Sequence, residues 1–170
     1  MKKVVLFLLS VLTFSLQNIS AQDGIKIVTN HPDLNLKVKR CAASGKTVII
    51  DLVATNVGTE DKGDFYIMPT NCIAYDDDGN VYEGYEGYIG VKVANQQEYA
   101  FVTISSFVES KRTKLLPNIP CKISISIKDF SLEASSIGLL EIGAECKSLN
   151  LFGGQEDQRI KVRNIPITRN

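Results

Sequence analysis

From position 34 onward this chain is organised by alternation of apolar and polar side chains. Leu34, Leu36 and Val38 alternate with Asn35, Lys37 and Lys39, the period-2 signature of a strand with one buried face. After an Ala43-Ser44-Gly45 turn, the stretch Thr47 to Asn56 is rich in β-branched residues and stops at Asn56-Val57-Gly58. Phe65 to Met68 and Ile73 to Tyr75 read as one strand interrupted at Pro69, which has no amide to donate and so predicts an edge or a bulge. Asp76-Asp77-Asp78-Gly79-Asn80 predicts a hairpin turn in which Gly79 supplies the positive φ. Val81 and Tyr82 begin the return strand.

Tyr88 to Val93 and Tyr99 to Ile104 predict a second hairpin around Asn95-Gln96-Gln97. Phe107, Val108, Leu115 and Leu116 fit a short helix or an irregular crossing. The cleanest strand runs from Cys121 to Lys128, with Cys121, Ile123, Ile125 and Ile127 on one face and Lys122, Ser124, Ser126 and Lys128 on the other. Ser131 to Ser136 fits one helical turn before a strand from Ile137 to Cys146, in which Leu140, Ile142, Ala144 and Cys146 share a face. Gly153-Gly154 marks a loop. Ile160, Val162, Ile165 and Ile167 form a last strand; its phase slips at Asn164, a bulge signal, and Pro166 signals an edge. About eight or nine short strands, separated by turn signals and with no long helix, predict an all-β antiparallel sandwich.

The order of these signals is specific enough to compare. A Leu-x-Val strand precedes a β-branched strand ending in Asn56-x-Gly58, then Tyr75-Asp-x-Asp-Gly79-x-x-Tyr82. Later come Leu116-Pro-x-x-Pro-x-Lys122-Ile-x-Ile and Ile137-x-x-Leu140-x-Ile142. Over about residues 34–146 this resembles the immunoglobulin-like domains of unknown function found in bacterial secreted proteins and lipoproteins. The resemblance implies an immunoglobulin-like β-sandwich in binding or structural service and brings no catalytic residues with it. Members of that family usually follow a lipid-anchored Cys or a linker, and neither is present here.

The first twenty-one residues change the picture in another way. Lys2 and Lys3, the apolar run Val4 to Phe14 and the small-residue end Ile19-Ser20-Ala21 have the order of a secretory signal peptide cut after Ala21. The apolar run falls well short of the roughly 20 residues that span a bilayer, so no transmembrane segment is expected. Gln22 rather than Cys follows the cut, so no lipid anchor is expected. A leader over 1–21 leaves 149 of the 170 residues, 22–170, as a single domain in the periplasm or outside the cell. Nineteen acids then face 17 bases, a net charge of −2, which gives nucleic-acid binding no electrostatic footing.

Export gives the four cysteines meaning, since an oxidising compartment permits disulfides. Cys121 opens one strand and Cys146 closes the next, both in phase with the buried side, so antiparallel pairing would bring them to one end. The expected bridges are Cys121–Cys146 and, by default, Cys41–Cys72, with buried free thiols as the alternative.

Candidate chemistry is sparse. Asp76 and Asp78, with Asp77 between them and Glu83 and Glu86 nearby, form the one candidate metal cluster. An EF-hand register through Gly79 puts Ala74 and Tyr85 where acids belong, so a hydrogen-bonded turn is the stronger reading. Tyr82-Glu83-Gly84-Tyr85-Glu86-Gly87-Tyr88 is the most unusual composition, and Tyr82, Tyr85 and Tyr88 are the candidate contacts for a protein or glycan partner of the cell envelope. The structural alternative packs Tyr82 and Tyr88 on the sandwich and leaves Tyr85 exposed. His31 is the single histidine and lies in no catalytic or zinc-binding motif. No phosphate-binding glycine loop is present, and no cofactor is implied. The sequence therefore predicts a secreted, non-enzymatic binding module; the alternatives are a carbohydrate-binding accessory protein and a small hydrolase.

Overall fold

A computed structural model describes residues 24–29, 31–94, 100–101, 112–149, 151–152 and 158–169. Its centre is the pair of strands that alternate most strictly. β3 (Thr47–Asn56) and β10 (Pro120–Ile127) pair antiparallel along their whole length, from Pro120 opposite Thr55 to Ile127 opposite Val48. Ile50, Ile125 and Val91 stand side by side across this sheet, all at 0% exposure, because in-phase β-branched residues fill one pleated face without gaps. Burying each such side chain contributes about 1.5–3 kcal/mol.

β2 (Leu34–Ser44) forms a hairpin with β3 through Gly45 at φ 56°, and its register slips between Val38 and Arg40. β7 (Ile89–Val93) flanks β10 and is followed outward by β8 (Ala100–Phe101). β15 (Thr168–Arg169) joins β2 in parallel, reaching only Ala42 and Ala43. The six-stranded order is β15-β2-β3-β10-β7-β8.

A second sheet has the order β1 (Lys26–Val28), β14 (Ile160–Pro166), β11 (Ser136–Ile142), β5 (Ile73–Asp76) and β6 (Val81–Glu83). A third contains β13 (Leu151–Phe152), β12 (Ala144–Cys146), β4 (Lys62–Ile67) and β9 (Thr113–Leu115). One corner joins these two sheets. β4 passes to β5 through a 3₁₀ turn at Pro69–Asn71, β11 passes to β12 at Gly143, and Met68 N donates to Gly143 O across the corner at 2.8 Å. A single core cluster draws on all three sheets, including Ile50, Phe65, Leu115, Ile137 and Ala144.

The expected all-β sandwich is thus present, with fifteen short strands among the described residues in place of eight or nine. The excess comes from breaks. The stretches before and after Pro69 are two strands in different sheets, because proline starts a turn that swings the chain round the corner. Gly143 splits the strand read from Ile137 to Cys146 in the same way. Leu115 lies on strand β9, whereas Ser131 to Ser135 form no helical turn and bend only at Leu132 and Glu133. The burial phase slips at Asn164, which has a left-handed φ of 58°, but the β11–β14 register runs through this point without a shift, so the expected bulge is not formed there. β14 pairs with β11 as far as Pro166, but β1 reaches only Lys161 to Arg163, so among the described residues Pro166 has a strand on one side alone, as an edge proline does. Asn95 to Gln97, Phe107, Val108 and Gly153-Gly154 lie outside the described residues.

Candidate functional site

The hairpin from Asp76 to Tyr88 is built around one buried carboxylate. Asp76 Oδ1 accepts from Asp78 N at 3.1 Å and Asn80 N at 2.8 Å, while Oδ2 accepts from Asn80 Nδ2 at 2.8 Å and Tyr82 Oη at 3.0 Å. Four donors saturate this carboxylate, so Asp76 closes the turn and holds Gly79 at φ 88°. Asp77 accepts from the Ser135 backbone N at 3.1 Å and from its hydroxyl. The Ser135 hydroxyl is the main reason why the Asp77 carboxyl lies below its ordinary range. Asp78 is exposed. Among the described residues, no three His, Cys, Asp or Glu side chains are grouped to hold a metal ion.

The three tyrosines have three different environments. Tyr82 is buried, stacks on Phe130 with centroids 4.7 Å apart, and meets Tyr88 edge-on at 6.4 Å and 83°. Its hydroxyl donates to Asp76 and accepts from Ser131 N at 2.9 Å, and burial pushes its pKa upward. Tyr82 is therefore a pillar under the loop. Tyr88 is half-buried against the core. Tyr85 is 55% exposed at the apex, between the exposed side chains of Glu83 and Glu86.

What holds Tyr85 in place is backbone. Glu86 N and Tyr88 N both donate to Glu83 O, at 3.2 and 3.3 Å, and Gly87 N donates to Gly84 O at 3.0 Å, with Gly87 at φ 86°. Gly84 seats this loop on the sheet corner. Its N donates to Cys72 O at 2.9 Å, and a Cβ there would lie only 1.7 Å from Pro69 O. Nothing in the Tyr-Glu-Gly repeat distinguishes this glycine from Gly87; the close approach exists only once the corner is folded.

All four cysteines are buried free thiols, so neither expected bridge is present. The premise behind Cys121–Cys146 fails because their strands do not pair: β10 lies in the six-stranded sheet and β12 beside β4. Cys146 Sγ instead lies 3.1 Å from Gly63 O and 3.3 Å from Ser148 Oγ, and Cys72 Sγ lies 3.4 Å from Met68 O. Burial pushes the Cys41 and Cys72 thiols up to about 12 and raises Cys121 as well, which disfavours the reactive thiolate. His31 Nδ1 is occupied by the backbone N of Asp33 at 3.0 Å.

Two buried ionic groups went unsignalled in the sequence: Lys62, paired with Asp33 at 3.0 Å, and Glu141. Glu141, on the polar phase of its strand, is 5% exposed because Arg159 at 3.0 Å and Lys161 at 3.3 Å cover it. No helix among the described residues is long and apolar enough to cross a membrane.

No family model matches the chain, and no curated protein does. Among solved structures it is similar to a family 123 glycoside hydrolase from Clostridium perfringens, described for glycolipid glycan hydrolysis. The identity is 9% over 80% of this chain, the chain spans 27% of the hydrolase, and the TM-score is 0.42. A likeness at that level carries no argument about activity.

Proposed function

We propose that this chain is an exported, non-enzymatic binding module whose contact surface centres on Tyr85. The observation that carries the reading is a large amphipathic ring, more than half exposed, on a loop fixed by four backbone hydrogen bonds to itself and to the sheet corner. Recognition residues gain from such mounting, since little conformational freedom is lost on contact. The leader-like residues 1–21 support export, and the resemblance to secreted immunoglobulin-like domains belongs to the same proposal. His31, with its Nδ1 accepting a backbone hydrogen bond and no serine-type motif around it, supports the non-enzymatic part. A protein partner in the cell envelope is favoured over a glycan: Tyr82 is buried and Tyr88 stands at 83° to it, so those two rings offer no flat platform for sugar stacking. The test is affinity capture from the native cell envelope with wild type and Tyr85→Ala side by side. Specific recovery lost with Tyr85→Ala supports the reading; equal recovery by both overturns it.

A further inference from the structure

The six-stranded sheet is closed unevenly along β2. β3 covers one side of that strand completely, while β15 reaches only Ala42 and Ala43 on the other. Among the described residues nothing pairs with the outer side of Asn35 to Arg40, where alternate residues turn their backbone N–H and C=O groups away from β3. Facing this open edge is β1 of the second sheet, and a cavity of about 160 Å³ lies between them, lined by Ile25, Ile27, Lys37 and Val38. It opens to solvent, its described lining mixes three apolar side chains with Lys37, and its volume has room for one aliphatic side chain.

The outer face beside this edge carries an excess of positive charge. Lys37 lies two strands from Lys122 through Val53, and Arg40 lies three strands from Lys92 through Asp51 and Ser124. Asp51 is the acid in these two rows, and it is taken up by Arg40 at 2.9 Å and Ser124 Oγ at 2.6 Å. Lys37 and Lys39 are exposed on the edge itself.

We infer that the open edge of β2 accepts an extended, acidic segment of a partner protein as an added strand. The alternation of the host dictates the guest. Directly opposed residues in neighbouring strands point to the same face, so positions beside Leu36 and Val38 are apolar and the one beside Val38 enters the cavity. The position beside Lys37 is acidic, and Lys39, the extra residue of the bulge between Val38 and Arg40, adds positive charge next to it. A second copy of this chain is disfavoured as the occupant, because antiparallel pairing of two β2 edges brings lysines against lysines. This surface involves no residue of the Tyr85 loop.

The test uses two fluorescein-labelled peptides, one alternating glutamate with isoleucine and the other alternating lysine with isoleucine, titrated against the full chain by anisotropy. The glutamate peptide is expected to bind saturably and the lysine peptide not to bind. Lys37→Glu/Lys39→Glu should weaken binding about tenfold or more, and added salt should do the same. Lys37→Gln/Lys39→Gln serves if charge reversal disturbs folding, and Tyr85→Ala should leave binding unchanged, which separates this inference from the loop reading. Amide shifts should concentrate at residues 25–27 and 35–40. Failure of the glutamate peptide to bind, equal binding of both peptides or insensitivity to both lysine variants would overturn the inference. So would equally tight, lysine-dependent binding to vesicles of anionic phospholipid, which would make the face a membrane contact.

Discussion

Replacing Gly84 by alanine tests whether the candidate loop is seated on the sheet corner. The added methyl would lie 1.7 Å from Pro69 O, whereas ordinary contact begins near 3.4 Å, so loop and turn must part by about 1.7 Å. That movement also breaks the 2.9 Å bond from Gly84 N to Cys72 O. Overpacking of this kind costs about 1–3 kcal/mol and the lost buried hydrogen bond about 1 more, which together make roughly 2–4 kcal/mol. At about 2–4 °C per kcal/mol for a chain of this size, the melting temperature should fall by roughly 5–15 °C. Gly138→Ala is the matched control, because its new methyl would meet Asp76 O at an ordinary 3.4 Å; its change should stay within about 0.5 kcal/mol. Thermal melts by circular dichroism, backed by urea titrations with an unchanged m value, read both variants. A Gly84→Ala protein melting within about 1 °C of wild type would refute the seating argument.

Tyr82→Phe removes the hydroxyl shared by Asp76 and Ser131 N and should cost roughly 2–3 kcal/mol in urea unfolding, whereas Tyr85→Phe should be neutral. The Cys41 and Cys72 thiols ionise near 8.5 in an unfolded chain but only at about 12 when folded, so their contribution is complete below the lower value and lost as pH rises between the two. Cys41→Ala/Cys72→Ala should flatten the fall of stability with pH across that alkaline window; an unchanged slope would count against the burial argument. Asp77 has the opposite sign: its depressed pKa stabilises above the ordinary carboxylate range, and that contribution is lost as pH falls through the folded value. In Ser135→Ala, the Asp77 carbon resonance should titrate at a higher pH than in wild type.

The strands were legible where period-2 alternation was strict. Thr47–Asn56 appears with the bounds its β-branched run suggests, and Cys121 to Lys128 differs by one residue at each end. The corner was not legible. Pro69 announced an interruption, yet that Gly84 and Gly143 close around Pro69–Asn71 depends on contacts between segments far apart in sequence. The cysteines show the same limit, since phase assigns a thiol to a face but says nothing of which sheet its neighbour joins. At the candidate site, the repeat identified the loop, but three identical residues in a regular pattern hid a pillar, a half-buried neighbour and an exposed apex. Phe130, which supports the pillar, carried no signal because its partner lies 48 positions away in the chain.

The pairing of β1 with β14 sets a timetable. Lys26 lies opposite Arg163, so at synthesis rates of about 5–20 residues per second the opening strand waits on the order of ten seconds for its neighbour. Throughout that interval the second sheet lacks an interior strand and cannot close over its apolar face. The second sheet therefore cannot be completed before Arg163 has been made, and the order of its strands provides that delay.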